Sequence, residues 1–196
     1  EVTASFVKLL AITDHSDRND RDRSDSEGWV RSGNGWKYQI PGGSYAKNGW
    51  QQIGGIWYAF DANGIMRTGW YLEAMDNCWY YMKPDGSMAI GWQQINGKWY
   101  YFDESGTMLT GWHKIDGKWY YLDLNGIMLT GWLKDDSSGD WYYLSPNGDM
   151  VSGVMELDGR IYYLGSPDSG RMETGTIRVN GRNYTFGENG EATDYK

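Results

Sequence analysis

The most distinctive chemical groups in the sequence are tryptophans that recur in pairs. The first member of each pair follows a glycine, and the second comes 7 or 9 residues later. The pairs are Trp29 and Trp36, Trp50 and Trp57, Trp70 and Trp79, Trp92 and Trp99, Trp112 and Trp119, and Trp132 and Trp141. Ring faces attract cations, and cages of several rings recognise quaternary ammonium groups. A lone tryptophan usually belongs to a core, but so many in one register favour a binding surface over a core.

Methionines accompany the tryptophan pairs at a fixed place, shortly after a glycine, as in the segment Ser105–Met108. A thioether is soft and polarisable, and it makes favourable contacts with methyl groups and rings. A quaternary ammonium has no N–H group, so a carboxylate cannot hydrogen-bond to it, whereas rings and thioethers can still contact it. The methionines therefore fit the same kind of site.

Composition excludes several classes of protein. The 196 residues include 12 Trp and 16 Tyr but 4 Phe, and the mean hydropathy is -0.69, so a large aliphatic core is not expected. A net charge of -8 argues against nucleic acid, because its binders neutralise phosphates with Lys and Arg. The single cysteine, Cys78, excludes an internal disulfide. No apolar run reaches the ~18 residues of a membrane span, and the acidic first residue does not begin a signal peptide as it stands.

The elements that position the tryptophans are predicted to be β-hairpins. Segments such as INGK, IDGK, LDGR and VNGR place Asn-Gly or Asp-Gly between strand-forming residues, which is the strongest short hairpin signal because a type I′ turn needs positive φ twice. Two versions, EAMDN and DDSSGD, lengthen the turn, where insertions cost little. From Trp57 onward, the interval from a second tryptophan to the next Gly-Trp is constant. That constancy indicates a fixed geometry between successive hairpins.

The turn also predicts which residues share a face. A two-residue turn in INGK pairs Trp92 with Tyr101 across the hairpin. Alternation along the strands then puts Trp92, Trp99 and Tyr101 on one face, with Tyr100 and Phe102 on the other. Since a lone hairpin is barely stable in water, successive hairpins are expected to stack on one another. The sequence therefore predicts an all-β solenoid whose end repeats are degenerate.

The repeat GWQQINGKWYYFDESGTMLTGW, from residue 91 to 112, resembles the choline-binding repeat of Gram-positive surface proteins, notably those of pneumococci and their phages. The resemblance covers roughly Gly28 to the C-terminus. It implies a left-handed β-solenoid in which choline binds between successive hairpins. Each site would take two tryptophans from one hairpin, an aromatic residue from the next and a methionine wall.

Carried onto this chain, the resemblance implies five sites. The sets are Trp50, Trp57, Met66 and Tyr81; Trp70, Trp79, Met88 and Tyr101; Trp92, Trp99, Met108 and Tyr121; Trp112, Trp119, Met128 and Tyr143; and Trp132, Trp141, Met150 and Tyr163. Trp29 and Trp36 are expected to lack a partner, because Ala59 stands where the tyrosine is expected. Val154 and Ile161 occupy the next pair of positions and are interpreted as structural.

The resemblance also implies a function and a place in the cell. The ligand would be phosphocholine on teichoic and lipoteichoic acids, and the protein would be secreted and attached non-covalently to the bacterial cell surface. We expect no cofactor, no metal and no catalytic residue, and neither nucleic acid nor a membrane span. An adhesin that meets a host protein, and a regulator of autolysins, both fit such an anchor.

Two other functions stay open at this point. Glucan-binding and clostridial-toxin repeats share GW and YYF, although the tryptophan before Tyr-Tyr and the methionine after Gly are less regular in them. Alternatively, these repeats are the wall-binding module of a murein hydrolase whose catalytic domain is absent. The histidines His15 and His113 stand in unlike contexts, and no nucleophile elbow or HExxH motif is present.

Residues 1–27 are expected to form a separate N-terminal segment before a repeat module of residues 28–196. The part from Asp14 to Gly28 alternates acids and arginines. Its order fails the EF-hand pattern, because Arg21 falls at a ligand position if Asp17 starts the loop. A solvated linker is the simpler interpretation. The run FVKLLAI fits either a helix or a capping strand.

Overall fold

The computed structural model describes residues 27–33 and 35–194, and this part of the chain contains β-strands and no helix. The strands are β1 (Gly28–Ser32), β2 (Gly35–Gln39), β3 (Gly49–Ile53), β4 (Ile56–Phe60), β5 (Gly69–Leu72), β6 (Trp79–Met82), β7 (Gly91–Ile95), β8 (Lys98–Phe102), β9 (Gly111–Ile115), β10 (Lys118–Leu122), β11 (Gly131–Lys134), β12 (Trp141–Leu144), β13 (Gly153–Leu157), β14 (Arg160–Leu164), β15 (Gly175–Val179) and β16 (Arg182–Phe186). The predictions for the N-terminal segment, including those for His15 and the acid–arginine run, concern residues outside the described part of the chain, apart from Glu27 and Gly28.

Each sheet is a single antiparallel hairpin made of two consecutive strands. In the β9–β10 hairpin, Trp112 faces Tyr121 and Lys114 faces Trp119 across the strands. The same register recurs in β3–β4, where Gln52 faces Trp57. The predicted pairing of the first tryptophan with the second tyrosine of Tyr-Tyr is therefore confirmed in β9–β10.

The short turns have the backbone that the sequence predicts. Asn96 and Gly97 have φ values of 51° and 78°, and Asp116 and Gly117 have 49° and 80°. Two successive residues with positive φ are the signature of a type I′ turn, whose twist matches that of the flanking strands. The Asn-Gly and Asp-Gly signals are thus confirmed as hairpin turns.

The described residues fall into two compact units. One takes in the residues up to Gly91 together with Phe102–Met108, and the other takes in Trp92–Tyr101 and the residues from Leu109 onward. Within each unit, every hairpin packs against the hairpin that follows it. In the first unit Trp29 of β1 contacts Tyr58 of β4, with ring centroids 4.9 Å apart. This packing of consecutive hairpins confirms the solenoid of stacked hairpin repeats, while its left-handed sense stays a prediction.

The core lies on the hairpin face that does not carry the tryptophans. Tyr100 is 8% exposed and Phe102 is fully buried, as the alternation predicted. The same face supplies the other fully buried large side chains, which are Phe60, Met82, Leu122, Leu144, Leu164 and Phe186. From β3–β4 onward, each hairpin therefore contributes one fully buried large side chain from its second strand to a narrow core, in agreement with the low aliphatic content.

The segment after each hairpin ties that hairpin to the one before it. In the first unit the backbone N–H of Met88 donates to the carbonyl oxygen of Trp57 at 2.9 Å. The Met88 side chain lies against Gly106, where an added Cβ would stand 2.4 Å from the sulfur. Gly106 also has a φ of 83°, so this position needs glycine for both its backbone and its lack of a side chain. These contacts explain why the connecting segment has constant length.

Candidate functional site

A cavity of about 350 Å³ lies on the tryptophan face of the β3–β4 hairpin in the first unit. Its lining residues are Trp50, Trp57, Glu73, Met75, Asp76, Tyr80, Met88 and Ser105. The aromatic and thioether groups form its walls, and the acids come from the turn of the next hairpin. A cavity of this size and lining suits a small organic cation.

Three elements position the walls of this cavity. Trp50 and Trp57 share one face of β3–β4, since Gln52, two residues after Trp50, faces Trp57 across the hairpin. Tyr80 comes from the buried face of β6, and its ring centroid lies 4.9 Å from that of Trp50 at an interplanar angle of 63°. Met88 follows β6 and is fixed by its hydrogen bond to Trp57. The ring faces and the thioether therefore come from two successive hairpins.

Carboxylates hold the polar ends of these rings. Trp50 Nε1 donates to Glu73 Oε2 at 3.0 Å, and Tyr71 donates to the same oxygen at 2.6 Å. The hydrogen bond from Tyr71 is the main reason why the pKa of Glu73 is lowered. The pKa of Tyr71 is raised to about 12, mainly by burial and to a smaller extent by its hydrogen bond to Glu73. Glu73 is therefore ionised at neutral pH and fixes the orientation of the Trp50 ring.

The second unit repeats the arrangement of rings three times. The pairs in contact are Trp92 with Tyr120 at 4.9 Å, Trp112 with Tyr142 at 4.8 Å and Trp132 with Tyr162 at 5.0 Å between centroids. The methionine contacts are Met128 N to Trp99 O at 2.8 Å, Met150 N to Trp119 O at 2.7 Å and Met172 N to Trp141 O at 2.7 Å. Each tryptophan pair in this unit thus meets a tyrosine and a methionine of the following repeat.

Another tryptophan pair lies in the first unit. The ring centroids of Trp70 and Trp79 are 6.2 Å apart at an interplanar angle of 86°, and Met108 N donates to Trp79 O at 2.8 Å. Of the residues predicted for this set, Met88 lines the preceding cavity and Tyr101 belongs to the second unit.

The second tryptophans keep a large part of their surface open to solvent. Trp57 and Trp79 are 42% exposed, Trp99 is 41% and Trp141 is 40%. Apolar rings of this size are costly to expose unless they serve binding. Trp119 is more covered, and the ammonium of Lys114 lies 5.9 Å from the centre of its ring.

The tyrosines and methionines fall into sets different from those that the resemblance implied. Tyr81 lies across its own hairpin from Trp70, with centroids 5.2 Å apart, and Tyr80 is the ring against Trp50. Four further tyrosines likewise face the first residue of the pair in their own hairpin, namely Tyr101 with Trp92, Tyr121 with Trp112, Tyr143 with Trp132 and Tyr163 with Val154.

The backbone pairs each of these methionines with the second tryptophan of the hairpin before its own. Met66 binds the carbonyl of Trp36, and Met88 binds that of Trp57. The full set of second tryptophans and their methionines is Trp36 with Met66, Trp57 with Met88, Trp79 with Met108, Trp99 with Met128, Trp119 with Met150 and Trp141 with Met172. Of these methionines, Met88 lines the cavity beside Trp50 and Trp57, and the assignment of the tryptophan pairs and the other methionines to ligand sites stays a prediction.

The physical reason is that, within each unit, a hairpin covers the tryptophan face of the preceding hairpin with its own buried face. Alternation already assigned Tyr80 to the face opposite Trp70, so this face was readable from the sequence. Which face meets the preceding hairpin depends on how the connecting segment folds back, and that is a tertiary property. The sequence therefore indicated the face on which Tyr80 lies, but it did not indicate that this face packs against Trp50 of the preceding hairpin.

The family comparison agrees with this geometry. A model of the choline-binding repeat matches residues 47–90, 89–123 and 109–154 of the chain. The chain belongs to the choline-binding repeat family. The solved structures show the same relationship: choline binding protein F from Streptococcus pneumoniae matches with a TM-score of 0.77 and 40% identity over 86% of this chain. CbpJ from S. pneumoniae TIGR4 matches with a TM-score of 0.75 and 38% identity over 86% of the chain.

The chain spans part of these relatives, covering 58% of the choline binding protein F and CbpJ chains. CbpF solved in complex with ipratropium is also similar, with a TM-score of 0.75 and 36% identity over 86% of this chain and 60% of that chain. No match was found among curated proteins.

One choline-binding repeat that the sequence interpretation set aside has a full set of walls. Trp29 contacts Tyr58 at 4.9 Å, and Met66 N donates to Trp36 O at 2.7 Å. The expectation that this pair lacks a partner was wrong, because the partner is Tyr58 and not the residue at Ala59. The guanidinium of Arg31 lies 5.5 Å from the centre of the Trp36 ring, so an internal cation already faces this tryptophan.

The degenerate repeat that starts at β13 lacks aromatic rings at both positions of the pair. Val154 is 40% exposed, and Ile161 accepts its backbone hydrogen bond from Ala192 where other repeats use methionine. Aliphatic groups have no quadrupole to attract a cation. This repeat therefore keeps the hairpin and its stacking but not the cage.

The sequence also contains a histidine and a cysteine among the described residues. His113 Nε2 lies 2.9 Å from the carbonyl oxygen of Thr110, and Cys78 is a free thiol. Among residues 27–33 and 35–194, no group of three or more His, Cys, Asp or Glu side chains is arranged to hold a metal ion. A search of the same residues found no helix with the length and hydropathy that crossing a membrane requires.

Proposed function

We propose that this chain is a non-catalytic module that binds choline through cages built between consecutive hairpins. The observation that carries the proposal is one recurring set of groups: two tryptophans of a hairpin, a tyrosine of the next hairpin and a methionine after it. In the first unit this set encloses a cavity beside Trp50 and Trp57, and the second unit repeats it three times. Four such complete sets, with the Trp29 and Trp36 set and the Trp70 and Trp79 pair, are the proposed sites.

The chemistry of the walls matches a trimethylammonium group. Its charge is spread over methyl groups that cannot donate a strong hydrogen bond, so ring faces stabilise it through their quadrupoles. The methionine fills the remaining side with a polarisable contact. The tyrosine and the first tryptophan meet edge to face, which leaves ring surface for a ligand.

The magnitudes fit several weak sites better than one strong site. Three rings at about 0.5–2 kcal/mol each, less the entropy of binding, leave ~4 kcal/mol, which is a millimolar affinity. On a polymer that carries many cholines, linked sites gain roughly 10²–10⁴ in avidity. Repetition along the chain therefore compensates for the weakness of each cage.

The polymer that we propose is teichoic and lipoteichoic acid bearing phosphocholine. Family membership supports this assignment, and the binding surface is open to solvent as attachment to a polymer requires. The protein would then be secreted and held non-covalently at the bacterial cell surface, where it could serve as an adhesin or a regulator of autolysins. This proposal gives no catalytic step to the described residues.

A titration of intrinsic tryptophan fluorescence tests the binding. Choline and tetramethylammonium should both change the emission, with half-saturation in the millimolar range, because the tryptophans are the ligand walls. The matched control is 3,3-dimethylbutan-1-ol, in which carbon replaces the nitrogen of choline and the charge is absent. It should bind much more weakly if cation–π attraction provides the affinity.

Dextran provides the test of the competing carbohydrate function. We expect no fluorescence response to dextran at concentrations where choline saturates the protein. A flat choline titration with a clear response to dextran would contradict the proposal and assign the repeats to the glucan-binding class.

A further inference from the structure

The two long turns carry an acid in the place where the short turns from β3–β4 onward carry an aliphatic residue. Glu73 follows β5 and Asp135 follows β11, and each accepts a hydrogen bond from the first tryptophan of the preceding hairpin. The donor atoms are Trp50 Nε1 at 3.0 Å and Trp112 Nε1 at 2.9 Å. In the short β9–β10 hairpin the same place is taken by Ile115, which is 6% exposed. In both long turns, therefore, a carboxylate accepts a hydrogen bond from a tryptophan of the preceding hairpin.

The first long turn also provides part of the wall of the site before it. Glu73, Met75 and Asp76 line the cavity beside Trp50. Asp76 Oδ2 accepts a hydrogen bond from the hydroxyl of Tyr80 at 2.8 Å. Two carboxylates thus hold two rings of one cage, and both add negative charge at its rim.

Both carboxylates are ionised at neutral pH. A hydrogen bond from Tyr71 lowers the pKa of Glu73, and the backbone N–H of Cys78, followed by the Tyr80 hydroxyl, lowers that of Asp76. Glu73 Oε1 lies 3.4 Å from the N–H of Met75, and the backbone N–H of Ala74 also interacts with this carboxylate. Because an ionised carboxylate can accept about four hydrogen bonds, it can also accept one from a ligand hydroxyl.

We propose that Glu73 and Asp76 make the cavity beside Trp50 and Trp57 selective between ligands that share a trimethylammonium group. The cavity prefers the alcohol, free choline, over its phosphate ester, phosphocholine. The inference rests on the proposed choline binding and limits it at this site, which would bind the phosphocholine of the polymer less well than the sites before short turns do. At the site of Trp92 and Trp99, the following short turn has Ile115 in the place of Glu73, and its acid, Asp116, is exposed in the turn, so we expect this site to discriminate less.

The physical basis is the opposite effect of the carboxylates on the two ends of phosphocholine. They attract its ammonium group, and they repel the phosphate a few ångströms away. Free choline has the attraction without the repulsion, and its hydroxyl can donate to Glu73. At low salt, each carboxylate about 7 Å from the phosphate weakens binding of the ester by roughly threefold or more.

The test measures both ligands at both kinds of site in the whole protein. Indole N–H signals in ¹H–¹⁵N NMR spectra report each tryptophan, and Trp50→Phe and Trp92→Phe variants assign the two signals needed. For each site the measured quantity is the ratio of the phosphocholine Kd to the choline Kd at low ionic strength. We expect this ratio to be at least threefold larger for Trp50 than for Trp92.

Two isosteric variants remove the charge while keeping a hydrogen-bond acceptor for the rings. Glu73→Gln and Asp76→Asn should each lower the ratio at Trp50 toward that at Trp92, and they should leave Trp92 unchanged. Because the two act independently, either one tests the inference if the other fails to fold. In the unmodified protein, added NaCl should likewise reduce the difference between the two sites.

The outcomes separate this inference from the function on which it rests. If neither signal responds to choline, the proposed function fails. If both respond with equal ratios, or if the variants change both ligands equally, the function stands and the selective role of Glu73 and Asp76 is overturned.

Discussion

At the scale of single residues, the two adjacent tyrosines of each hairpin have different neighbours. The Tyr120 ring lies 4.9 Å from Trp92 of the preceding hairpin, whereas the Tyr121 ring lies 5.2 Å from Trp112 of its own hairpin. The first tyrosine completes a cage, and the second supports a tryptophan of the next cage. A substitution can separate these two roles.

We predict that Tyr120→Ala weakens choline binding at the Trp92 and Trp99 site by about 1–2 kcal/mol, because one of three rings is lost. Tyr121→Ala removes the same side chain from the neighbouring position and should leave this site intact. Tyr120→Phe keeps the ring and should keep the affinity. The indole signal of Trp99 during a choline titration measures all three. The opposite result, with Tyr121 essential and Tyr120 dispensable, would restore the assignment that the family resemblance implied.

The acid at the start of the second long turn makes stability depend on pH. The hydroxyl of Ser137, followed by the indole of Trp112, lowers the pKa of Asp135 from 3.8 to about 2. A carboxyl group whose pKa is lower in the folded state stabilises the fold above its unfolded pKa, and this contribution is lost as the pH falls through the folded value. The relevant window therefore runs from about pH 4 down to about pH 2.

We predict that Asp135→Asn lowers thermal stability at pH 6 and makes the melting temperature fall less steeply between pH 4 and pH 2. Melting curves followed by near-ultraviolet circular dichroism at several pH values measure both effects. Asp168→Asn is the control, because it removes an exposed carboxylate that pairs with Lys114 and contacts no tryptophan in this hairpin's turn. An unchanged pH profile in Asp135→Asn would show that its hydrogen bonds contribute nothing to folding.

At the scale of elements, the short type I′ turns set the register of the hairpins. Asp116 and Gly117 both have positive φ, and a register slip of one residue would exchange the tryptophan face and the core face. The turn therefore determines which rings are available to a ligand. A substitution at the turn should act on stability without touching a cage wall.

We predict that Asp116→Val destabilises the protein by about 1–3 kcal/mol, because a β-branched residue is strained at positive φ. Asp116→Asn should be close to neutral, since asparagine tolerates this conformation. Chemical denaturation of both variants gives the comparison. If the two variants were equally stable, the left-handed turn would not be what determines stability at this position.

At the scale of the whole molecule, the sheets do not extend from one hairpin to the next. Every described sheet has two strands, and successive hairpins within a unit are joined by ring packing and by single backbone bonds such as Met150 N to Trp119 O. A chain with such contacts has nearly independent sites, because each repeat interacts mainly with its nearest neighbours.

We predict that Trp57→Ala and Trp141→Ala each remove one choline site and that the double variant loses two. Their effects on choline-induced stabilisation should add within about 0.5 kcal/mol, as expected for sites without shared partners. Saturating choline raises the melting temperature by mass action, with ~2.7 kcal/mol per site at 100 times the Kd. Calorimetric site counts and melting curves test this. Loss of every site in one single variant would show long-range cooperativity instead.

The sequence by itself determined the hairpins and the division of their faces. Asn96-Gly97 and Asp116-Gly117 specify turns through local backbone preference, and alternation separates Trp99 from Tyr100 because successive strand residues point to opposite sides. These are properties of neighbouring residues. They needed no knowledge of what the hairpin packs against, and the structure agrees with them.

The tertiary structure alone decided which residues complete each cage. Tyr80 and Met88 lie beside Trp50 and Trp57 because the next hairpin turns its buried face toward them. The bond from Trp50 to Glu73, 23 residues later, depends on the same stacking. A repeat with constant spacing offers several equivalent tyrosines and methionines, so spacing cannot choose among them. The choice follows from the path of the connecting segment, which is set by long-range contacts between hairpins.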